Sequence, residues 1–186
     1  TSVDPGLRVR LRSKGPDGYF AAFPLRAAMD GIMTVGVVVA SRADGFAPGD
    51  TVWHAAGWRD YAVVRANEPA LSGLGTLTRL DTALAPAQWY LGPLGGMGLT
   101  AYAGLLGAAE LRGGDVVWVS AAAGAVGSLA AQFAKVRGHR VIGSAGSAAK
   151  VAYLREELGL DAAFDHRAAP VAASLRAAAP DGIDVY

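Results

Sequence analysis

The sequence predicts an α/β fold, a doubly wound parallel sheet preceded by a smaller segment of short strands and turns. Three observations predict it. Val116-Val117-Trp118-Val119 is a run of apolar and aromatic residues, the pattern of a fully buried strand. The run Ser120-Ala121-Ala122-Ala123-Gly124-Ala125-Val126-Gly127 follows as a tight turn of small residues, after which Val126, Leu129, Ala130 and Phe133 fall at helical spacing on a buried face. From His139 to Tyr186 short apolar runs alternate with helical patterns, which reads as parallel strands joined by right-handed crossovers.

The elements follow in order. From Thr1 to about Leu80 the chain reads as strands and turns at the spacing of a small barrel. Leu7, Val9 and Leu11 alternate with Arg8, Arg10 and Arg12, a half-buried strand. Pro16-Asp17-Gly18 is a turn. Val35 to Ala40 is a buried strand, with Gly36 allowing a bulge or a close approach. Asp44-Gly45 and Pro48-Gly49-Asp50 mark further turns, and Thr51 to His54 and Tyr61 to Val64 are strands. Pro86 suits the first turn of a helix through Trp89 and Tyr90, which Gly92-Pro93-Leu94-Gly95-Gly96-Met97-Gly98 breaks. Thr100 to Leu111 reads as a second helix, stopped by Arg112-Gly113-Gly114-Asp115. Gly138 ends the helix after the tight turn, and His139 to Gly143 is the next strand. Ser147 caps a helix to Leu158, which Gly159 ends. Ala162 to Phe164 is a short strand, Pro170 to Ala179 a helix, and Ile183 to Tyr186 begins another strand. The period changes near Pro86, so the domains are expected at 1–84 and 85–186.

The chain has 186 residues, 52% of them hydrophobic, with a formal net charge of +1, enough for one large or two small domains with real cores. No stretch of about eighteen apolar residues is free of charge, so no membrane partner is expected. No basic block points to nucleic acid. The absence of cysteine excludes disulfides and thiolate metal sites and agrees with a cytoplasmic setting. No secretory leader is expected at Thr1. With no initiating Met, and with Tyr186 inside a strand pattern, both termini are expected to be incomplete.

Strand, tight turn and helix form the unit that binds a dinucleotide pyrophosphate. Gly124 lets the backbone approach phosphates, Gly127 lets the helix pack close to the strand, and the helix N-terminus offers unpaired N–H groups to an anion. Ala122 stands where the first Gly of G-x-G-x-x-G belongs, and a turn of small residues also serves close packing alone. The end of the second strand decides which dinucleotide. An acid there holds a ribose 2′-hydroxyl, whereas a 2′-phosphate calls for a cation. No Asp or Glu occurs from Val116 to Arg155, and Lys150 sits in the first turn of the next helix. A cation there opposes the helix dipole unless a phosphate is bound; the other reading of Lys150 is a solvated surface residue.

Ser2-Val3-Asp4-Pro5, Gly45-Phe46-Ala47-Pro48-Gly49-Asp50, Gly57-Trp58-Arg59-Asp60-Tyr61, Gly98-Leu99-Thr100-Ala101-Tyr102, Ala121 to Gly127, Gly146-Ser147 with Lys150, and Leu158-Gly159 together carry a resemblance. The chain resembles the medium-chain dehydrogenase/reductase superfamily, and within it the zinc-independent prostaglandin reductase and leukotriene hydroxydehydrogenase group of alkenal double-bond reductases. The resemblance spans essentially the whole chain. It implies a partial GroES-like barrel-type catalytic domain over 1–84 and a partial Rossmann NADP-binding domain over 85–186, with the active site in the cleft between them. By position, Gly124, Ala125, Val126 and Gly127 would line the pyrophosphate, and Lys150 would contact the 2′-phosphate of NADPH. The family's tyrosine near that phosphate falls on His166, followed by Arg167, and Thr100 would approach the nicotinamide. Gly6 replaces an aromatic residue that faces substrate in the family, and Gly96-Met97 replaces its Met-Pro. The Asn, Gly-Gly and Tyr contacts that the family places after this strand lie past Tyr186.

His54, His139 and His166 are the only histidines, and without cysteine or an H-E-x-x-H pattern no catalytic zinc is expected. His54 reads as a barrel-rim residue rather than a base, and Trp58 and Tyr61 as barrel packing. Ser120 is in no G-x-S-x-G elbow, which removes support for a serine hydrolase. The expected function is therefore NADPH-dependent reduction of the C=C bond of an enone or enal, by hydride transfer to the β-carbon and without zinc. The expected partner is the small-molecule substrate, the expected assembly a homodimer, and no catalytic side chain is assigned. A quinone reductase of the same superfamily and a non-enzymatic NADPH-binding sensor are the alternatives. Steady-state turnover of NADPH with a short enone separates the binder from an enzyme, and comparison with a quinone separates the two enzymes.

Overall fold

A computed structural model describes residues 1–12, 21–69 and 75–186. The turn expected at Pro16-Asp17-Gly18 lies outside the described residues. The chain forms two compact units, Thr1–Leu91 and Gly92–Tyr186.

In the first unit, β1 (Thr34–Val37) pairs antiparallel with β2 (Thr51–His54), and β2 with β3 (Thr78–Arg79). Gly45 and Gly49, with φ of +82° and +95°, supply the left-handed positions of the turns between β1 and β2. Ile32, Thr34, Val52 and Ala55 are buried and form a small core. A 3₁₀ segment, Ala87–Leu91, packs against β1, and the Tyr90 hydroxyl donates to the Asp81 carbonyl at 2.7 Å.

Three strand expectations fail in this unit. Residues 7–11 do not form a strand: Leu7–Arg10 is a single helical turn, α1. The Asp4 carboxylate accepts the Gly6 N–H at 2.7 Å, and the N–H groups of Leu7 and Arg8 donate to the carbonyls of Asp4 and Pro5. Asp-Pro-Gly thus starts a turn, and Arg10 continues it by donating to the Asp30 carbonyl and stacking on Phe23. The strand expected at Val35–Ala40 is neither that long nor buried; it stops at Val37, and Val37 and Val39 are exposed. Gly36 makes no bulge, since its register with Val52 is regular, but it is a place of close approach: a Cβ there would sit 3.1 Å from His54 Nε2. Tyr61–Val64 is not a strand: no other strand among the described residues pairs with it, and Tyr61 and Val63 are largely or fully exposed. Trp58 is half exposed and donates its ring N–H to the Ser2 carbonyl at 3.3 Å.

The second unit opens with α2 (Gly96–Tyr102), which begins four residues before the expected Thr100 and continues as a π-helical turn, Ala103–Ala108. Then come β4 (Val116–Val119), α3 (Ala125–Val136), β5 (Arg140–Ala145), α4 (Ala148–Ala152) with a π-helical extension Tyr153–Glu157, β6 (Ala162–Asp165) and α5 (Val171–Ala178). The strands are parallel in the order β4-β5-β6, and Val185 bridges the free side of β4 opposite Val117. The direction of winding therefore reverses at β4, as in a doubly wound sheet. Gly138 and Gly159, with φ of +84° and +64°, end the helices as expected.

The core of this unit is Leu105, Val117, Ala122, Ala131, Ala134, Val141, Ala145, Leu154 and Leu160. Two expectations about it need correction. Val116–Val119 is not fully buried; only Val117 is, because Trp118 lies on the other sheet face, stacked between Phe164 and Tyr186. The inner face of α3 is also not led by Val126 and Leu129. Its fully buried residues are Ala131 and Ala134, with Ala130 and Phe133 partly buried beside them, because α2 and the sheet both crowd the helix and leave room for small side chains only.

Asp161 ties three elements together. Its carboxylate accepts from Lys135 Nζ of α3 at 3.0 Å and from the Val141 N–H of β5 at 2.6 Å. Burial pushes its pKa up, but the Val141 N–H and the Lys135 ammonium outweigh that and hold it below the ordinary carboxylate value. Its contribution is therefore present above the unfolded-state pKa and lost as pH falls through the lower folded-state value. Asp161→Asn is expected to cost about 1 kcal/mol at pH 7, a modest figure because the pair is partly solvated. Urea titrations at falling pH should show wild type and variant converging below about pH 4. A gap that stays constant across that range would contradict this role.

Candidate functional site

The turn between β4 and α3 carries the first group of expected site residues. Ala121 holds a φ of +46°, and Gly124 is the N-cap of α3 in an extended conformation with no side-chain cap. The Gly124 N–H donates to the Ala121 carbonyl at 2.8 Å, and the Gly124 carbonyl accepts from Ser128 N–H at 2.8 Å. The N–H groups of Ala125, Val126 and Gly127 form the first turn, where no intrahelical carbonyl reaches them, and no acidic residue occupies that turn. Twelve residues of helix add their dipole behind these groups. An anion is the ligand such a terminus takes.

The glycines answer to contacts inside the turn. A Cβ on Gly127 would lie 2.5 Å from the Ala121 carbonyl oxygen and 3.0 Å from Ala122 Cα. The close approach that needs Gly127 is thus to the turn just past β4, not to the strand itself. A Cβ on Gly124 would stand 3.1 Å from the same Ala121 oxygen, so the small cradle at the head of α3 is one a side chain would fill. Ala122, in the place of the first fingerprint glycine, is fully buried, and its N–H donates to the Ser144 carbonyl of β5 at 3.0 Å. Its methyl is housed because β5 has Gly143 opposite, where a Cβ would come within 3.2 Å of it.

The end of β5 carries the second group. Ser147 Oγ accepts the Lys150 N–H at 3.4 Å, the expected cap, and Lys150 is exposed with no ion pair among the described residues. β6 runs beside β5 with Asp165 opposite Ala145, and the His166 N–H donates to the Ala145 carbonyl at 3.0 Å. The turn after β6 is thereby fixed to the end of β5. Gly146 lies under both of its side chains: a Cβ there would be 3.3 Å from His166 Cε1 and 3.2 Å from Arg167 Nε. The sequence reading had Arg167 only as the neighbour of His166. The Asp165 carboxylate accepts the Arg167 N–H at 2.9 Å and orients the residue. No hydrogen bond joins Lys150 to His166 among the described residues. Asp165, opposite Ala145, is the acid that strand pairing brings to the end of β5, but it ends the third strand of the sheet, not the second.

The head of α3 lies at the carboxyl end of β4, the strand with β5 on one side and Val185 on the other. In open α/β sheets the ligand crevice forms at that end of that strand. Ser120 and Tyr186 meet there, hydroxyl to hydroxyl, at 3.1 Å. In α2, the Thr100 hydroxyl donates to the Gly96 carbonyl at 2.7 Å and keeps only its lone pairs for another partner. In the first unit, His54 Nδ1 accepts the Ala56 N–H at 3.1 Å, which makes it a neutral imidazole. Burial, and then the Arg59 guanidinium, lower its pKa. Among the described residues no three His, Asp or Glu are grouped as metal ligands, and no helix is long and apolar enough to cross a membrane.

Comparison with known proteins gives matching families for both units. Residues 1–71 match the family described as the N-terminal domain of oxidoreductase, and residues 125–186 the family described as zinc-binding dehydrogenase. The NADP-dependent 2-alkenal reductase of Nicotiana tabacum is 38% identical over the whole chain, which covers 52% of that protein. Prostaglandin reductase 1 of Mus musculus is 42% identical, again over the whole chain and 52% of the relative. The crystal structure of CurA from Vibrio vulnificus in complex with NADPH superposes with a TM-score of 0.84 at 36% identity, covering all of this chain and 52% of that one. The chain thus spans about half the length of the curated relatives it matches.

Proposed function

We propose, from the premise that this chain belongs to the medium-chain dehydrogenase/reductase superfamily, that the protein is an NADPH-dependent reductase of activated carbon–carbon double bonds. The observation that supports the cofactor choice is the end of β5, where the His166 and Arg167 side chains lie over Gly146, Lys150 falls in the first turn of the helix that follows, and no acid occurs from Val116 to Arg155. A ribose 2′-hydroxyl would call for a carboxylate there; a 2′-phosphate calls for cations. The N–H groups of Ala125, Val126 and Gly127 take the pyrophosphate at the head of α3. Gly124 keeps that terminus clear, and Lys150 and His166 face the 2′-phosphate.

Bound NADPH supplies a hydride for the β-carbon of an α,β-unsaturated ketone or aldehyde. Zinc plays no part in this reading: the chain has no cysteine and its three histidines are never grouped as ligands among the described residues. Without a metal to polarise an alcohol, a conjugated double bond is the easier substrate, since its carbonyl oxygen collects the developing charge and a few donors suffice there. Full-length protein with 4-deuterated NADPH and a short enone should give the saturated ketone with deuterium on the β-carbon. An allylic alcohol, or deuterium on the carbonyl carbon, would overturn the reaction assignment.

A further inference from the structure

The geometry points to Arg167, rather than Lys150, as the residue that sets the preference for a 2′-phosphorylated dinucleotide. This rests on the NADPH reading above and names which side chain of the site makes the choice. Three features place Arg167 there. Its guanidinium lies directly against Gly146, the first residue past β5, within 3.2 Å of where a Cβ would project. Its backbone is held from both sides: the Arg167 N–H donates to Asp165 Oδ1 at 2.9 Å, and the preceding His166 N–H donates to Ala145 of β5 at 3.0 Å. Its guanidinium makes no hydrogen bond or ion pair among the described residues, although the neighbouring Asp165 carboxylate is engaged by the Arg167 N–H. A planar donor fork is therefore positioned at the end of the second strand, with its donors unused.

Lys150 is differently placed. Like Arg167 it is exposed; its backbone is held in α4 by Ser147 and by the Tyr153 N–H, while its ammonium makes no hydrogen bond or ion pair among the described residues. A flexible ammonium contributes charge but little direction, whereas the planar fork of a guanidinium grips two phosphate oxygens at once. Gly146 belongs to the same device. A Cβ there would crowd Arg167 Nε at 3.2 Å and His166 Cε1 at 3.3 Å, so the glycine leaves room for both side chains beside the end of β5.

The test compares 2′,5′-ADP with 5′-ADP, two probes that differ by the 2′-phosphate, binding to full-length protein by calorimetry. Wild type should bind 2′,5′-ADP the more tightly. Arg167→Ala should reduce that ratio by about tenfold or more, the loss of a charge-assisted, bidentate contact, and Arg167→Lys should restore only part of it. Lys150→Ala should reduce the ratio by less than Arg167→Ala does. Affinity for 5′-ADP, which a general disturbance of the fold would lower, should not change in any variant. A ratio that survives Arg167→Ala but collapses in Lys150→Ala overturns the assignment to Arg167 and leaves the NADPH reading standing. A wild-type ratio near one overturns the NADPH reading itself.

Discussion

Gly98→Ala should destabilise the protein by about 3 kcal/mol, the upper range for forcing a methyl group into a packed interior. Gly98 is buried in α2, and a Cβ there would overlap the Pro93 carbonyl. The obstacle is backbone, which cannot step aside by changing rotamer. The same segment is drawn toward the helix, since the N–H groups of Gly95 and Gly98 both donate to the Gly92 carbonyl, at 3.0 and 3.1 Å. The methyl group would push apart what these bonds hold together. Alanine is the better helix former by about 1 kcal/mol, and that gain is smaller than the clash. Urea unfolding should show a lower midpoint; a variant as stable as wild type would mean the loop does not lie on the helix as described.

Gly127→Ala should lower stability by about 2 kcal/mol and weaken NADPH by tenfold or more, because one contact serves packing and site together. A methyl at Gly127 would press on the Ala121 carbonyl and Ala122 Cα. Ala122 cannot retreat, being fully buried and bonded to Ser144 of β5. The head of α3 must move instead, and with it the first-turn N–H groups assigned to the pyrophosphate. Fluorescence titration with NADPH reads the binding, and thermal unfolding of the free protein reads the stability. Unchanged affinity in a destabilised variant would separate the two roles and remove the head of α3 from the binding site.

The second unit was readable because its signals are local. A period change at Ser120, a Ser cap before α4 and glycines at φ of +84° and +64° after α3 and α4 each act within a few residues. The first unit was not, because its outcome depends on partners. Leu7, Val9 and Leu11 satisfy an alternating pattern over five residues, too few to exclude a helical turn, and the Asp4-Pro5-Gly6 turn decided for the helix. Tyr61 to Val64 has strand composition without a strand to pair with among the described residues. On α3 the expectation favoured bulky residues for the inner face, while the narrow space beside α2 selects Ala131 and Ala134. The small-residue turn before α3 and the place of Lys150 in the first turn of α4 are legible in sequence. Arg167 is not, because the residue it lies against, Gly146, is some twenty positions earlier and is brought to it only by the pairing of β5 with β6.

The bridge from Val117 to Val185 also sets an order of assembly. Pairing Val117 with Val141 closes a short stretch of chain; pairing it with Val185 closes one nearly three times longer. For a disordered intervening chain the longer closure costs about 0.9 kcal/mol more entropy, and contacts of high sequence separation form late. The side of β4 that meets β5 is therefore expected to zip before the side that meets Val185. Trp118 records both events in one ring, since its stack on Phe164 belongs to the early side and its stack on Tyr186, at 4.4 Å between centroids, to the late one.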